Sequence, residues 1–367
     1  MRLYCEEAEL TPHTHPLDAL RPRTIQTIAM ASLMLRGWNE PAEGERLHLS
    51  TMLHQTIALI KQHGGMKPKA LWNVFETGKL FPHVDVETFK ALLRSMANPK
   101  APFIEQAPDG LLLPGRAGEK LLEGREAYSV FTTPEEYQVS EAGGQLLGTI
   151  PQSNVVATEQ LLILAGQRWR LVHVNRERHH ITVKRAMGGH PPQFSSAPLG
   201  PHTGIIREML RLYLSLDYPV WLDDKARQFL AEGRKAFDGL GLRHRSVIQH
   251  DDEVLIFPWA GERAQRTLML ALLARGLDVV PMGLPLSLPS SQRAALGPVL
   301  EDFAQSKLPG PATMVAHIQD KAHDKFDHAL PPALLEESAI HDQITPDLLP
   351  AMARQLLPSM APPNVAA

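Results

Sequence analysis

A basic stretch around one tryptophan, GQRWRLVHVNRERHHITVKR at 166–185, carries the residue types that most favour binding chemistry in this sequence. From Arg168 to Arg185 it holds six Arg or Lys residues against one Glu, although the whole chain has a net charge of −3. Guanidinium and ammonium groups bind phosphates, and a neighbouring aromatic ring offers a face for base stacking. The stretch therefore predicts contacts with a nucleic-acid strand. The candidate residues are Trp169, Arg168, Arg170, Arg176, Arg178, Lys184 and Arg185.

The pattern leaves open which way the tryptophan points. Strand alternation puts Trp169 on one face with Leu171 and His173, and puts Arg168 and Arg170 on the other. The second face also carries two valines, so neither face is purely polar. Two interpretations follow: the ring packs in a core while the arginines lie at the surface, or the ring is a stacking platform edged by guanidinium groups.

Five short strand-like runs must position these side chains. Gly143-Gly144, Gly166 and the turn at 175–177 separate them, and short strands with regular turns are typical of a small antiparallel β-barrel. We expect this barrel at 126–190. Its predicted strands are 136–140, 145–150, 160–165, 168–174 and 179–185.

Helical spacing dominates the chain before this barrel. Apolar residues recur at helical intervals at 22–36, 50–63, 68–76 and from Asp85 to about 97, with Ser50 as the expected cap of the second helix. A hairpin follows at 103–115 around Pro108-Asp109-Gly110. Three helices and a hairpin predict a winged-helix domain at 21–125, whose third helix and wing approach nucleic acid. The contacts would be Lys90, Arg94 and Ile104; the alternative is that the two cations only form a solvated helix face.

A Pro/Gly/Ser-rich segment at 190–202 predicts a linker to a mainly helical α/β domain at 200–358. Helical patterns occur at 203–216, 223–240, 290–305, 310–321, 331–340 and 346–357. Residues 253–283 suggest a strand, a tight turn, a helix and a strand. The turn PWAGER is either an anion site at a helix start or an ordinary connection. We expect a disordered tail at 359–367. The predicted fold class is α+β.

Several kinds of chemistry are not indicated. The chain has no GxxxxGK[ST] phosphate loop, so we expect no ATP hydrolysis by this chain alone, and no catalytic dyad or triad stands out. The single Cys5 excludes an internal disulfide and a multi-cysteine zinc site. The run from His250 to Glu253 favours a solvated turn over a metal site. The acidic N-terminus and the lack of a long apolar run predict no signal peptide and no membrane partner, with a cytoplasmic location as the default.

The ordered set of motifs resembles one known family. It is similar to the part that follows the motor in the large helicase-related (Lhr-type) branch of the superfamily 2 DEAD/DEAH-box helicases, and the resemblance covers nearly the whole chain. The motifs are RLYCEEAEL (2–10), GWNEP (37–41), LHLSTMLHQTIALI (47–60), LLRSM (92–96), FIEQAPDGLLL (103–113), FTTPEEY (131–137), LGTIP (147–151), AGQRWRLV (165–172), LIFPWAGER (255–263) and KFDHALPPALL (325–335).

The resemblance implies a role in ATP-dependent, 3′ to 5′ translocation along single-stranded DNA. Residues 1–20 would then be the tail of a motor domain, and ATP and Mg²⁺ would bind in a motor half that this chain lacks. The chain itself would need no cofactor. Its partners would be single-stranded DNA or a DNA–RNA hybrid and a separate helicase motor polypeptide. The resemblance also raises the weight on Trp169 and Ile104 as strand contacts.

Three other functions stay open at this point. A free-standing winged-helix regulator would prefer one duplex sequence. A DNA-repair glycosylase would need a catalytic carboxylate in a DNA-facing cleft, for which Asp251 and Asp252 are the available candidates. A scaffold would bind no nucleic acid.

Overall fold

The chain folds as an α+β protein with small sheets. The computed structural model describes residues 3–5, 7–42, 46–130, 136–151, 161–164, 167–175, 178–185, 200–318 and 320–360, with only the backbone at 125–126, 151, 161–164 and 167–168. The predicted tail at 359–367 therefore lies largely outside the described residues, as do most of the predicted linker and Arg176.

Two helices come first: α1 (Pro16–Ala19) and α2 (Pro22–Leu35). A three-helix group follows with α3 (Leu49–His63), α4 (Pro68–Gly78) and α5 (Val86–Met96), and then a hairpin of β1 (Ile104–Gln106) and β2 (Leu112–Pro114) and helix α6 (Arg116–Glu123). Helices α2 to α5 lie where the apolar periodicity predicts them, whereas α1 was not predicted. The expected cap of α3 is wrong, because His48 is the N-cap and Ser50 lies buried inside the first turn.

The next five strands form a single open sheet. They are β3 (Glu136–Glu141), β4 (Leu146–Pro151), β5 (Leu161–Leu164), β6 (Gln167–Asn175) and β7 (His180–Arg185), in the order β4-β3-β7-β6-β5. Strand β3 pairs with β7 in parallel, whereas the other pairs are antiparallel. The prediction of an entirely antiparallel sheet is thus wrong at this pair, and β4 and β5 are edges within the described residues.

The last part of the chain builds helices on both faces of a four-stranded antiparallel sheet of order β10-β11-β9-β8. The bounds are α7 (Thr203–Leu214), α8 (Asp224–Gly239), β8 (Val247–His250), β9 (Glu253–Ile256), α9 (Glu262–Leu273), β10 (Val280–Pro281), β11 (Leu286–Pro289), α10 (Arg293–Ala304), α11 (Pro311–Val315), α12 (Pro332–Gln343) and α13 (Leu349–Leu356). The sequence patterns missed β8 and β11, and α11 is shorter than the helix expected at 310–321.

Strand β9 is buried on both faces, which explains its continuous apolar run. Val254 and Ile256 face the core built with α9, α10 and α13, whereas Leu255 and the following Phe257 face a core with α2, α7 and α8. Helix α2 therefore packs with residues after 200 and not with α3–α5, so residues of different predicted units share one core.

A C-terminal segment completes the core of the three-helix group. Phe326, Leu330 and Leu334 pack among the buried residues of α3, α4 and α5. The backbone amide of Phe326 donates a hydrogen bond of 2.8 Å to the hydroxyl of Ser50. This hydrogen bond joins residues 276 positions apart in sequence, so it attaches the three-helix group to the C-terminal part of the chain.

Candidate nucleic-acid interface

The tryptophan of the basic stretch points into the sheet's core. Trp169 is 3% exposed and packs with Leu171, Val139 and Val183. A base can stack only on an exposed ring face, so Trp169 offers no stacking platform in this conformation. Of the two interpretations left open by the sequence, the structure supports packing in the core.

A β-bulge changes the alternation along β6. The register with β7 shifts between Leu171 and His173, so Val172 is the extra residue. After the bulge Val174 packs against the core and His173 is exposed, the reverse of the predicted arrangement. The predicted position of His173 is wrong because simple alternation assumes one residue per pleat, whereas the bulge places two residues opposite one.

Arg170 and Lys184 lie next to each other on the face of the sheet opposite Trp169. Arg170 is directly opposite Lys184 across the two strands, and both neighbour buried residues that point inward. Arg185 is opposite Trp169, and its guanidinium carbon is 5.9 Å from the centre of the indole ring. The indole ring therefore makes a cation–π contact with Arg185 and does not present its face to a base.

The remaining predicted cations are arranged less closely. Arg178 is exposed after the turn, where its amide donates a hydrogen bond to Asn175 Oδ1 at 3.0 Å. The backbone of Arg168 pairs with that of Ile163 at the β5–β6 edge, while Arg176 lies outside the described residues. We define the cationic face as Arg170 and Lys184 with Arg178 in the adjoining turn; Arg185, opposite Trp169, lies on the other side of the sheet.

The second predicted contact region lies on α5 and its hairpin. Lys90 and Arg94 are exposed on one helix face, and Lys90 forms an ion pair of 2.7 Å with Glu87. Ile104 is only 1% exposed, so its side chain packs in the core and is not available to a strand. Glu105 and not Ile104 is exposed beside it on the hairpin.

The C-terminal segment covers a further side of α5. The hydroxyl of Thr88 donates to Glu337 Oε1 at 2.8 Å, and the hydroxyl of Ser95 donates to the carbonyl oxygen of Ala329 at 2.5 Å. These contacts leave a narrow exposed stripe that contains Lys90 and Arg94. A major groove takes up a whole helix face, so this stripe suits contact with a phosphate backbone better than insertion into a groove.

The carboxylates considered for DNA-repair chemistry lie in an exposed turn. Asp251 and Asp252 form the tight turn between β8 and β9, where the Asp251 side chain is 87% exposed. An enzyme that acts on a base takes it into a pocket, and an exposed turn does not enclose one. In the part of the chain that the structure describes, no group of His, Cys, Asp and Glu is arranged to hold a metal ion.

The PWAGER turn is an ordinary strand-to-helix connection at its tip. The Gly261 amide donates to Thr203 Oγ1 at 2.9 Å, and the Glu262 amide donates to the carbonyl oxygen of Pro201 at 3.3 Å. The chain itself therefore occupies these first amides of α9.

The sequence patterns did not indicate Arg46, which lies in the cavity beside this turn. A lone arginine in a loop gives no periodic signal.

Comparisons with protein-family models, with curated proteins and with solved structures found no match to this chain. The helices in the described ranges also include none with the length and apolar character that crossing a bilayer requires.

Proposed function

We propose that this chain is the strand-gripping half of an ATP-dependent DNA helicase of the large helicase-related type. It binds single-stranded DNA, or the DNA strand of a DNA–RNA hybrid, while a separate motor polypeptide binds ATP and Mg²⁺ and moves 3′ to 5′. In this proposal α3–α5 with the β1–β2 hairpin act as a winged helix, and the five-stranded sheet takes the place of the family's barrel. The observation that carries the proposal is that Arg170 and Lys184 lie directly opposite each other on neighbouring strands.

The register of β6 and β7 brings two cations together at one point of the sheet, because Arg170 and Lys184 are directly opposite each other. Arg185 and Arg178 add further positive charge to the same strands or their turn. A phosphate that binds here is attracted by several charges at once, and its binding releases counterions. An anionic polymer is thus the partner that this cationic face fits.

The geometry of α5 favours a single strand over a sequence-specific duplex. The C-terminal segment covers one side of this helix through Thr88 and Ser95, and Lys90 already has Glu87 as a partner. Lys90 and Arg94 then serve as backbone contacts. This argues against the free-standing winged-helix regulator, and the exposed turn at Asp251 argues against the glycosylase.

Strand binding by the cationic face is testable by fluorescence anisotropy with a labelled oligothymidylate over a series of salt concentrations. In single strands each phosphate contact contributes roughly 0.7 to the slope of log K against log salt. We expect Arg170→Gln combined with Lys184→Gln to lower that slope by roughly 1.4 and to weaken binding. Arg227→Gln, on the exposed face of α8, is the matched control and should change neither value. Equal slopes for the double variant and the wild-type protein would contradict the proposal.

A further inference from the structure

A cavity of about 310 Å³ opens where four parts of the chain meet. Its walls are the loop between α2 and α3, the segment 200–203 at the start of α7, the start of α9, and α12 with its flanking segments. Small-molecule sites in proteins occupy on the order of 300–1,000 Å³. None of the described residues of the five-stranded sheet lines this cavity, so it is separate from the cationic face and goes beyond the proposed function.

The guanidinium of Arg46 is incompletely paired in this cavity. Its Nε lies 3.9 Å from Asp342 Oδ2 and its Nη2 lies 3.9 Å from Asp324 Oδ2. Both distances exceed the range of a hydrogen bond. The Nε atom is buried and has no hydrogen-bond partner among the described residues, although the side chain is 24% exposed. A buried N–H without a protein acceptor is rare in a folded protein, so this N–H is available to a ligand oxygen or to solvent.

A second guanidinium in the same wall repeats this feature. Arg263 uses Nη2 to donate to the carbonyl oxygens of His341 and Ile344, at 2.7 and 3.1 Å, while its buried Nε has no partner in the described part of the chain. Lys321 likewise donates to a carbonyl oxygen, that of Ile318 at 3.0 Å. Carbonyl oxygens satisfy donors but do not neutralise charge, so Arg263 and Lys321 have no ion-pair partner among the described residues. Glu40 and Glu262 also line the cavity, and Glu262 is paired with Arg266.

The cavity also contains hydrogen-bond acceptors for a ligand. Asp342 is held by the Leu47 amide at 2.8 Å and by the Ser338 hydroxyl at 3.0 Å, and Asp324 lies on the other side of Arg46. These carboxylates oppose a bare anion but accept hydrogen bonds from hydroxyl or amino groups. A matching ligand therefore carries one oxyanion and several donors.

We propose that this cavity binds a nucleoside monophosphate, with its phosphate on Arg46, Arg263 and Lys321 and its sugar or base donors on Asp324 and Asp342. The ligand is either a free nucleotide or the phosphorylated terminal nucleotide of a strand. Both sources present the same group, and the volume admits one nucleotide but not a longer stretch of polymer.

Isothermal titration calorimetry with AMP, adenosine and inorganic phosphate tests this site on the full chain. We expect AMP to bind about 10-fold or more tightly than either fragment, since only AMP meets both sets of groups. Arg46→Met and Lys321→Met should each weaken AMP binding by about 10-fold, and Arg46→Lys should weaken it less. Arg227→Met on α8 is the matched control and should bind AMP like the wild-type protein. Thermal melting of each variant shows whether it is folded.

Competition identifies the source of the nucleotide. A 5′-phosphorylated oligothymidylate that displaces AMP, when the unphosphorylated one does not, identifies a strand end; displacement by neither identifies a free nucleotide. No binding of AMP at millimolar concentration, or equal binding by folded Arg46→Met and Lys321→Met variants, overturns the proposal. Because Arg170 and Lys184 lie outside the cavity, that failure would leave the salt-slope test of strand gripping unaffected.

Discussion

The hydroxyl of Tyr213 donates a hydrogen bond of 2.8 Å to the backbone carbonyl oxygen of Leu20, and both residues are fully buried. Burial raises the pKa of the Tyr213 hydroxyl, so this group remains a protonated donor. The same carbonyl oxygen would be 2.6 Å from a Cβ atom at Gly233. One backbone oxygen thus joins the N-terminal helices to α7 and α8.

Gly233→Ala should destabilise the protein because a Cβ atom at this position meets a backbone oxygen that Tyr213 holds in place. We expect a loss of about 1–3 kcal/mol in the free energy of unfolding, measured by urea denaturation. Gly239→Ala, in the same helix, is the matched control because no atom outside its own helix turn and its chain neighbours lies within 4 Å of its Cβ position. Equal stabilities of the two variants would show that the helices separate without cost.

The helices could be predicted from the sequence because their signal is local. The apolar stripe of α5 and the cap at Asp223, whose carboxylate accepts from the Ala226 amide at 2.8 Å, depend on residues within a few turns. The sequence does not predict which segments pack together. Periodicity shows that the segment with Leu330 and Leu334 has an apolar side, but not that this side packs on α3–α5.

The candidate interface shows the same limit. The charge of the basic stretch is visible in the sequence, and so is its division into strands. The orientation of Trp169 depends on which face of the sheet finds a core, and the bulge at Val172 moves His173 to the surface. Neither feature has a signature in single residue types.

Acid should weaken the contact between α2 and α7 through Glu208. Burial raises the pKa of this carboxyl, but hydrogen bonds from Arg211 and Arg36 outweigh burial and hold it below its ordinary value. Stability from a lowered pKa is fully present above the unfolded value of about 4.3 and is lost as pH falls through the folded value.

Glu208→Gln should therefore be less stable than the wild-type protein by about 1–3 kcal/mol at neutral pH, with the difference shrinking below about pH 4. Urea denaturation at a series of pH values measures this. Glu87→Gln, which alters the exposed pair with Lys90, is the control and should change stability little at any pH. A difference for Glu208→Gln that stays constant down to pH 3 would exclude this role of the charge.

Trp169→Ala should destabilise the five-stranded sheet, so weaker strand binding by this variant would not show that the ring contacts the strand. Removing a buried aromatic ring costs about 3–5 kcal/mol, and this sheet has a small core. Trp169→Phe is the informative variant because it keeps an apolar ring. We expect its affinity for oligothymidylate to stay within about twofold of the wild-type value, since the indole faces inward. A tenfold loss with unchanged thermal stability would instead indicate that the ring turns outward to stack on a base.

Ser50→Ala should loosen the attachment of the three-helix group to the C-terminal segment. The Phe326 amide is buried and donates to the Ser50 hydroxyl, so removal of this oxygen leaves a donor without an acceptor at a cost of about 1–3 kcal/mol. Hydrogen exchange followed by mass spectrometry should show faster exchange in peptides that contain Phe326. Ser291→Ala, at an exposed position, should leave those peptides unchanged. Because Arg170 and Lys184 lie on a separate sheet, strand binding by Ser50→Ala should keep its salt slope; a lower slope would mean that the two regions grip the strand as one unit.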